Sequence, residues 1–366
     1  MSDPTLVQPL RYDPAFEIPE EDEAATIAGL KDTLLEMEAT MAGSTGHAMR
    51  AVHAKSHGLL RGELRVLDGL PPQLAQGLFA QPRSFQVLLR LSSPPAEELP
   101  DNVSTPRGLA LKVLGVPGER LPGSEGASTQ DFLMVNGPAF GRPGPKGFLK
   151  DLKLLAGTTD KAQAAKQALS TLLRGTEHVI EALGGESGKI KAMGGHPQTH
   201  PLGETYFTQV PVLYGDYMAK LSMAPVSPAL VVLTGAALDM KGKPDAMRDA
   251  VNAFFASGQA AEWELRVQLC TDIDRMPLED ASVPWPEEDS PYIAVARLSV
   301  AQQPAWNSER ERAVDDGMAF SPWHGIAAHR PLGAVMRARK PVYQASADFR
   351  ARTNGCPLHE PQNSPF

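Results

Sequence analysis

The chain holds only two cysteines, Cys270 and Cys356, far apart and without a CxxC partner. That excludes a zinc ribbon, an iron–sulfur site and a disulfide scaffold, and makes a reducing cytoplasm the expected compartment. No apolar run approaches the roughly 20 residues that a membrane-spanning helix requires. The start, "MSDPTLVQPLRYDPAFEIPEEDEAA", is acidic and broken by prolines, so it lacks the basic n-region and apolar centre of a signal peptide. Basic residues are outnumbered 35 to 43, a net charge of −8 that argues against a nucleic-acid partner. GxGxxG, P-loop and HExxH motifs are all missing, as are internal repeats and low-complexity tracts. Aromatic residues make up only 6% and prolines number 33, so turns are stiff and each aromatic ring is worth locating.

What remains is an ordinary globular balance, 42% hydrophobic and 21% charged over 366 residues. Residues 1–22 read as an extended arm and 23–366 as a single domain. "DEAATIAGLKDTLLEMEATM" places Ile27, Leu30, Leu34, Met37 and Met41 on one helical stripe. "RSFQVLLRLSS" alternates: Phe85, Val87, Leu89 and Leu91 take one strand face, Gln86, Leu88, Arg90 and Ser92 the other. "GLALKVLGV" and "DFLMVNGPAF" continue the β pattern, and 160–184 reads as a helix closed by glycines. A second strand group follows in "ETYFTQVPVLYGDYMAKLSMA", "ALVVLTG", "EWELRVQLCTD" and "YIAVARLSV". "PDAMRDAVNAFFASG" is a helix among them, with Pro at its start and Gly at its end. The segment "PLGAVMRARKPVYQASADFRARTNG" is helical in composition apart from Pro341. About eight strands without strict β–α alternation point to an α+β fold, an antiparallel barrel with helices packed outside.

The candidate chemistry begins at "RARKPVYQASADFR". On a helix Arg339, Tyr343 and Arg350 share a face. A free phenol titrates near 10, and a cation within ~4–6 Å lowers that value. Arg339 beside Tyr343 therefore suits a charge-stabilised phenolate, which is a known axial ligand of haem iron. A basic helix carrying a half-buried tyrosine fits the same residues, and Pro341 weakens the helical spacing. In "MRAVHAKSHG", Arg50 precedes His53 by three residues. The histidine is open to a structural role as well as a chemical one. Arg90 shares a strand face with Ser92; a buried arginine needs an anion, which a haem propionate or an ordinary ion pair would supply.

In order along the chain, "RAVHAK", "LRLSS" then "STPRGLALKV", "DFLMVNGPAF", "WPEEDSPYIAVARL", "AFSPWHGI" and "RARKPVY" resemble the haem catalase superfamily, specifically its short catalase-related members. The resemblance runs from about Arg50 to Arg350. It implies an eight-stranded antiparallel barrel with surrounding helices, a reduced N-terminal arm and no flavodoxin-like C-terminal domain. It also implies haem b held by Tyr343 as iron ligand, with Arg339 keeping it ionised. Arg50, Arg90 and Arg350 would pair with the propionates. His53 would be the distal base and Ser92 the hydroxyl orienting it. Val52 occupies the position before the histidine, and Phe140 and Phe148 would pack near the haem.

One departure is plain. In gapless alignment the family's distal asparagine falls on Val135, and Asn136 follows; a turn beginning at "NGP" would let Asn136 serve as the distal amide. The activity implied is a peroxidase or catalase that reduces hydrogen peroxide or small organic hydroperoxides through a ferryl intermediate, in the response to oxidative stress. Its partners would be the peroxide, an organic electron donor and further copies of itself in a dimer or tetramer. The alternatives are a fatty-acid hydroperoxide isomerase or dehydratase resembling allene oxide synthase, and a non-enzymatic haem-binding protein. The isomerases tend to carry Thr where this chain has Val52, which favours the peroxidase.

Overall fold

An amphipathic strand with one apolar face must cover that face, and here a sheet does so by closing on itself. The computed structural model describes residues 8–103, 105–156 and 197–366. Its strands are β1 (Ser56–Val66), β2 (Ser84–Ser92), β3 (Gly108–Val113), β4 (Gln130–Val135), β5 (Tyr206–Phe207), β6 (Val212–Tyr214), β7 (Tyr217–Pro225), β8 (Ala261–Leu269) and β9 (Ile293–Val300). They pair antiparallel in the order β5-β4-β3-β2-β1-β9-β8-β7, and a β5–β7 pairing shuts the ring; β6 is added to β7 as a hairpin. The result is a closed eight-stranded barrel without free edges inside the ring.

The alternation of β2 decides what lies inside. Phe85, Val87, Leu89 and Leu91 enter the barrel core with Leu60, Leu111, Phe132, Leu221, Trp263, Leu265 and Val295. Burying each such side chain contributes ~1.5–3 kcal/mol. Arg90 and Ser92 face outward, yet both are buried, because helices cover that wall.

Four helices longer than two turns are described: α1 (Glu23–Thr45), α2 (Pro145–Ala156), α3 (Ala246–Ala256) and α4 (Ala334–Asn354). Leu30, Leu34 and Met37 of α1 pack with Leu152 of α2 and with Ala338 and Val342 of α4. The stripe read from the sequence is the packing face of α1, with Ile27 at its margin. In the arm, Leu10, Tyr12 and Phe16 lie against Met218, Cys270 and Trp285. Among the described residues no helix is long and apolar enough to cross a membrane.

Three expectations need comment. The helix expected over 160–184 lies outside the described residues. "ALVVLTG" is not a strand: Pro228–Val231 is one helical turn, with Pro at its first position and Val231 and Val232 exposed. A short apolar run fits either state, and Pro228 decides it. Pro341 does not interrupt α4. The adjoining turn is anchored from outside, since the Arg337 guanidinium bonds Glu17, Glu23 and Glu279 at 2.7–3.2 Å.

After α4 the chain returns to the barrel. Glu360 accepts from Lys112 Nζ at 2.8 Å and Thr129 Oγ1 at 2.6 Å, and lies 2.9 Å from His324 Nδ1. Lys112 also pairs with Asp131 at 2.9 Å. Burial alone would lower the His324 pKa, but its bonds to Asp131 and Glu360 outweigh this and raise it to about 9. Burial would raise Glu360, but His324 and Lys112 hold it at about 2. The His324 contribution is therefore complete below its unfolded value near 6.5 and is lost as pH rises through about 9. The Glu360 contribution is complete above about 4.5 and is lost as pH falls through about 2. Glu360→Gln is expected to lower stability by about 1–3 kcal/mol near neutral pH. It should also flatten the decline between pH 6.5 and 9, followed by thermal melts across pH; an unaltered decline would show that Asp131 alone charges His324.

Candidate active site

Strand register places the first wall of the site. Ser92 is paired with Gly108 and Gly108 with Val135; one step along, Arg90 pairs with Ala110 and Ala110 with Leu133. These six residues share the outer face of three adjacent strands. All of them line one cavity of about 70 Å³, together with Arg50, Val52, His53, Phe320, Arg339 and Tyr343. His53 arrives from the loop before β1, and Arg339 and Tyr343 from α4, where their four-residue spacing puts them on one face.

His53 has a left-handed backbone, φ 57°, which is strained for a residue with a Cβ. Its amide donates to Pro94 O at 2.8 Å, fixing the loop. Its Nδ1 lies 3.0 Å from Ser92 Oγ. When Nδ1–H donates to that oxygen, Nε2 keeps its lone pair for the cavity. The ring rests on Gly108, where a Cβ would stand 2.4 Å from His53 Cε1 and 2.5 Å from Nδ1. Burial first, then the charges of Arg90, Arg339 and Arg50, push its pKa down to about 3. It is a neutral base at physiological pH.

Arg50, Arg90 and Arg350, expected to act together, do converge. Their meeting point is Asp315, which the sequence reading missed. Its Oδ1 accepts from Arg50 Nη1 at 2.7 Å and Arg90 Nε at 2.5 Å, and its Oδ2 from Ser56 Oγ at 2.7 Å. Arg350 Nη1 donates to the Asp315 carbonyl at 2.8 Å. Burial raises the Asp315 pKa, but Arg90 and Arg50 outweigh it and keep the carboxylate below its usual value. No motif announces this residue: its partners Arg50 and Arg90 lie 265 and 225 positions away in the chain. Among the described residues, Arg350 Nε and Glu38 Oε2 are buried without a partner.

Other expectations fare differently. Asn136 is corrected: it is not in the cavity wall, which is built by Val135. With Leu133 and Val135 on the cavity face, the next residue turns away, and Asn136 Oδ1 instead accepts from Arg107 N at 2.7 Å. Phe140 and Phe148 meet edge-on at 5.4 Å outside the cavity lining; Phe148 belongs to the cluster holding Val52 and Tyr343. Arg339 donates to Met336 Sδ at 3.8 Å, and no hydrogen bond joins it to Tyr343. The wall also contains Gln209, unpredicted, with φ 62° and its amide on Gly137 O and Ala139 O. Beyond Arg50 lies a second space, a cleft of about 470 Å³ lined by Glu97, Glu98, Glu311, Asp315 and Asp316.

No family model and no curated protein sequence matches the chain. Among solved structures, catalase A from Saccharomyces cerevisiae superimposes with a TM-score of 0.60 at 16% identity, covering 100% of this chain and 71% of that one. That is the catalase fold. A fungal catalase gives 0.56 at 15% identity over 98% and 70% of the two chains, and a bacterial catalase 0.60 at 16% over 89% and 62%. The eight-stranded ring with helices outside is what this catalase fold shares with them.

Because the folded pKa of His53 is depressed, the unfolded chain binds the extra proton between about 3 and 6.5, and this contribution to stability is lost as pH falls through that range. An imidazole NMR titration of the folded chain should give His53 a midpoint near 3; a midpoint near 6.5 contradicts the burial argument. Gly108→Ala should drive the ring off Ser92 and destabilise the fold by about 1–3 kcal/mol in denaturant melts.

Proposed function

We propose that the chain is a haem-dependent peroxidase of catalase type, acting on hydrogen peroxide or small organic hydroperoxides. One observation carries this reading: a neutral histidine with a free ring nitrogen and a tyrosine from another element line the same cavity, beside a cluster of buried arginines. The donor set suits haem b. Tyr343 offers a phenolic oxygen to iron with Arg339 on its helix face, and Arg50, Arg90 and Arg350 offer guanidiniums to two carboxylates. Arg350 Nε, without an acceptor among the described residues, is a donor that a carboxylate would satisfy. The space suits it only after opening, because about 70 Å³ is well below the roughly 300–1,000 Å³ of cofactor pockets.

Haem bound there supplies the iron-centred, two-electron reduction of the peroxide bond. The chain's own part is the proton. His53 Nε2 takes it from one peroxide oxygen and returns it to the oxygen that departs as water or alcohol. Ser92 fixes the tautomer, and Gly108 lets the ring lie close against the strand. Burial first, and then the charges of Arg90, Arg339 and Arg50, keep the imidazole unprotonated between turnovers. Val52, Leu133, Val135 and Phe320 supply apolar wall between the polar side chains of the cavity. With Val135 where an amide would assist, peroxide is held chiefly through His53, so dismutation is slower than in an enzyme with that amide. An organic donor then suits the reducing half of the cycle.

The purified chain supplied with haem should develop a Soret band; its absence ends this reading. Tyr343→Phe should lose or sharply weaken the band. His53→Ala should keep it while peroxide turnover falls ~10²–10⁴-fold. Undiminished oxygen evolution in His53→Ala would remove the assigned base. Turnover of a fatty-acid hydroperoxide to an epoxide without reductant would favour the isomerase instead.

A further inference from the structure

We infer that Asp315 is a built-in occupant of the anion seat formed by Arg50, Arg90 and Arg350, holding these arginines in position and yielding that seat to the carboxylates of the cofactor. The inference rests on the haem reading above.

The hydrogen-bond ledger around the seat is one-sided. Arg50 Nη1 donates to the Asp315 carboxylate and carbonyl, and its Nη2 to Val314 O and Met318 O, both at 3.1 Å. Arg350 donates to Asp315 O at 2.8 Å and Met318 O at 3.3 Å. Arg90 places Nε on Asp315 and Nη2 on Ala54 O at 3.0 Å. One short segment, 314–318, thus accepts most of the described hydrogen bonds of three arginines that come from a loop, a strand and a helix. A propionate entering the same seat would find the Arg50 and Arg90 forks already engaged by Asp315 Oδ1.

The segment has the build of a removable plug. Arg312–Asp316 is a single wide, π-type turn following one ordinary helical turn, closed by Gly317 N on Arg312 O at 3.0 Å. Such turns insert a residue and re-aim the side chains that follow. A Cβ at Gly317 would lie 2.6 Å from Ala313 O, so the turn depends on glycine there. Only Val314 of the turn is fully buried. On the far side, Arg50 and Asp315 line the cleft of about 470 Å³, and Arg50 also lines the cavity of about 70 Å³. Their ion pair therefore stands between the two spaces. Drawing Asp315 aside joins them and provides the room that the cavity alone lacks. The exchange is chemically even: arginine–carboxylate bonds are replaced by arginine–carboxylate bonds, so no buried guanidinium is stranded. Asp315 is thus a positioning residue for the cofactor, and it lowers apparent affinity by the fraction of time that the seat is occupied.

The test is haem loading of the full chain, read by Soret absorbance, in wild type, Asp315→Asn and Ser56→Ala; the last removes the bond to Asp315 Oδ2 without touching the arginines. Asp315→Asn should bind haem about tenfold more tightly and load faster, with Ser56→Ala in between. Haem dimethyl ester, which has no carboxylates to claim the seat, should gain less from either change than haem does. The cofactor-free Asp315→Asn chain should also melt at a lower temperature, because its arginines lose their counter-ion. Equal affinity and loading rate in all three proteins would overturn the inference while leaving the haem reading intact. Weaker binding in both variants would overturn it too, by making Asp315 part of the grip. Absence of a Soret band in wild type removes the haem reading and this inference together.

Discussion

The pairing of Ser92 with Gly108 and of Gly108 with Val135 constrains everything at the site. Because strand neighbours face opposite sides, that register turns Arg90, Ser92, Ala110, Leu133 and Val135 out of the barrel together and leaves their sequence neighbours in its core. A slip of one residue on β3 would put Leu109 where the imidazole lies and Gly108 inside the barrel. The barrel interior, packed by Leu60, Leu89, Leu111 and Phe132, forbids that slip. The chemistry outside is thus held in place by hydrophobic packing inside.

The electrostatic consequence follows from which groups the register brings together. Arg90 on the strand wall sits beside a histidine and an aspartate with opposite needs. Its charge helps to keep His53 neutral and Asp315 ionised. Burial amplifies the first effect and resists the second, so the carboxylate needs both Arg50 and Arg90 as well as the Ser56 hydroxyl. One set of arginines thereby serves as a proton barrier on one side and an anion seat on the other.

Most of this frame was legible in the sequence, and for identifiable reasons. Strict alternation in β2 separated Phe85, Val87, Leu89 and Leu91 from Arg90 and Ser92 correctly, because a period of two leaves no other arrangement. Helical spacing put Arg339 and Tyr343 on one face, and tertiary ion pairs at Arg337 carried α4 through Pro341. Asn136 could not be placed by the same logic, since it lies where the strand ends and a turn begins; its side chain went to the backbone amide of Arg107. Asp315 was invisible because nothing local marks a carboxylate whose partners are more than two hundred residues away. The run at 229–235 shows the other limit, where a short apolar stretch fits more than one conformation.

The left-handed backbone at His53 has a consequence for how such a chain changes over generations. A glycine there would adopt φ 57° without strain, and the neighbouring loop, tied by its amide to Pro94, would be undisturbed. Selection for foldability alone thus favours erasing the imidazole, and only a demand on the ring itself opposes it. Descendants released from that demand should drift at position 53 before the barrel around it does, leaving an inert shell with its architecture unharmed.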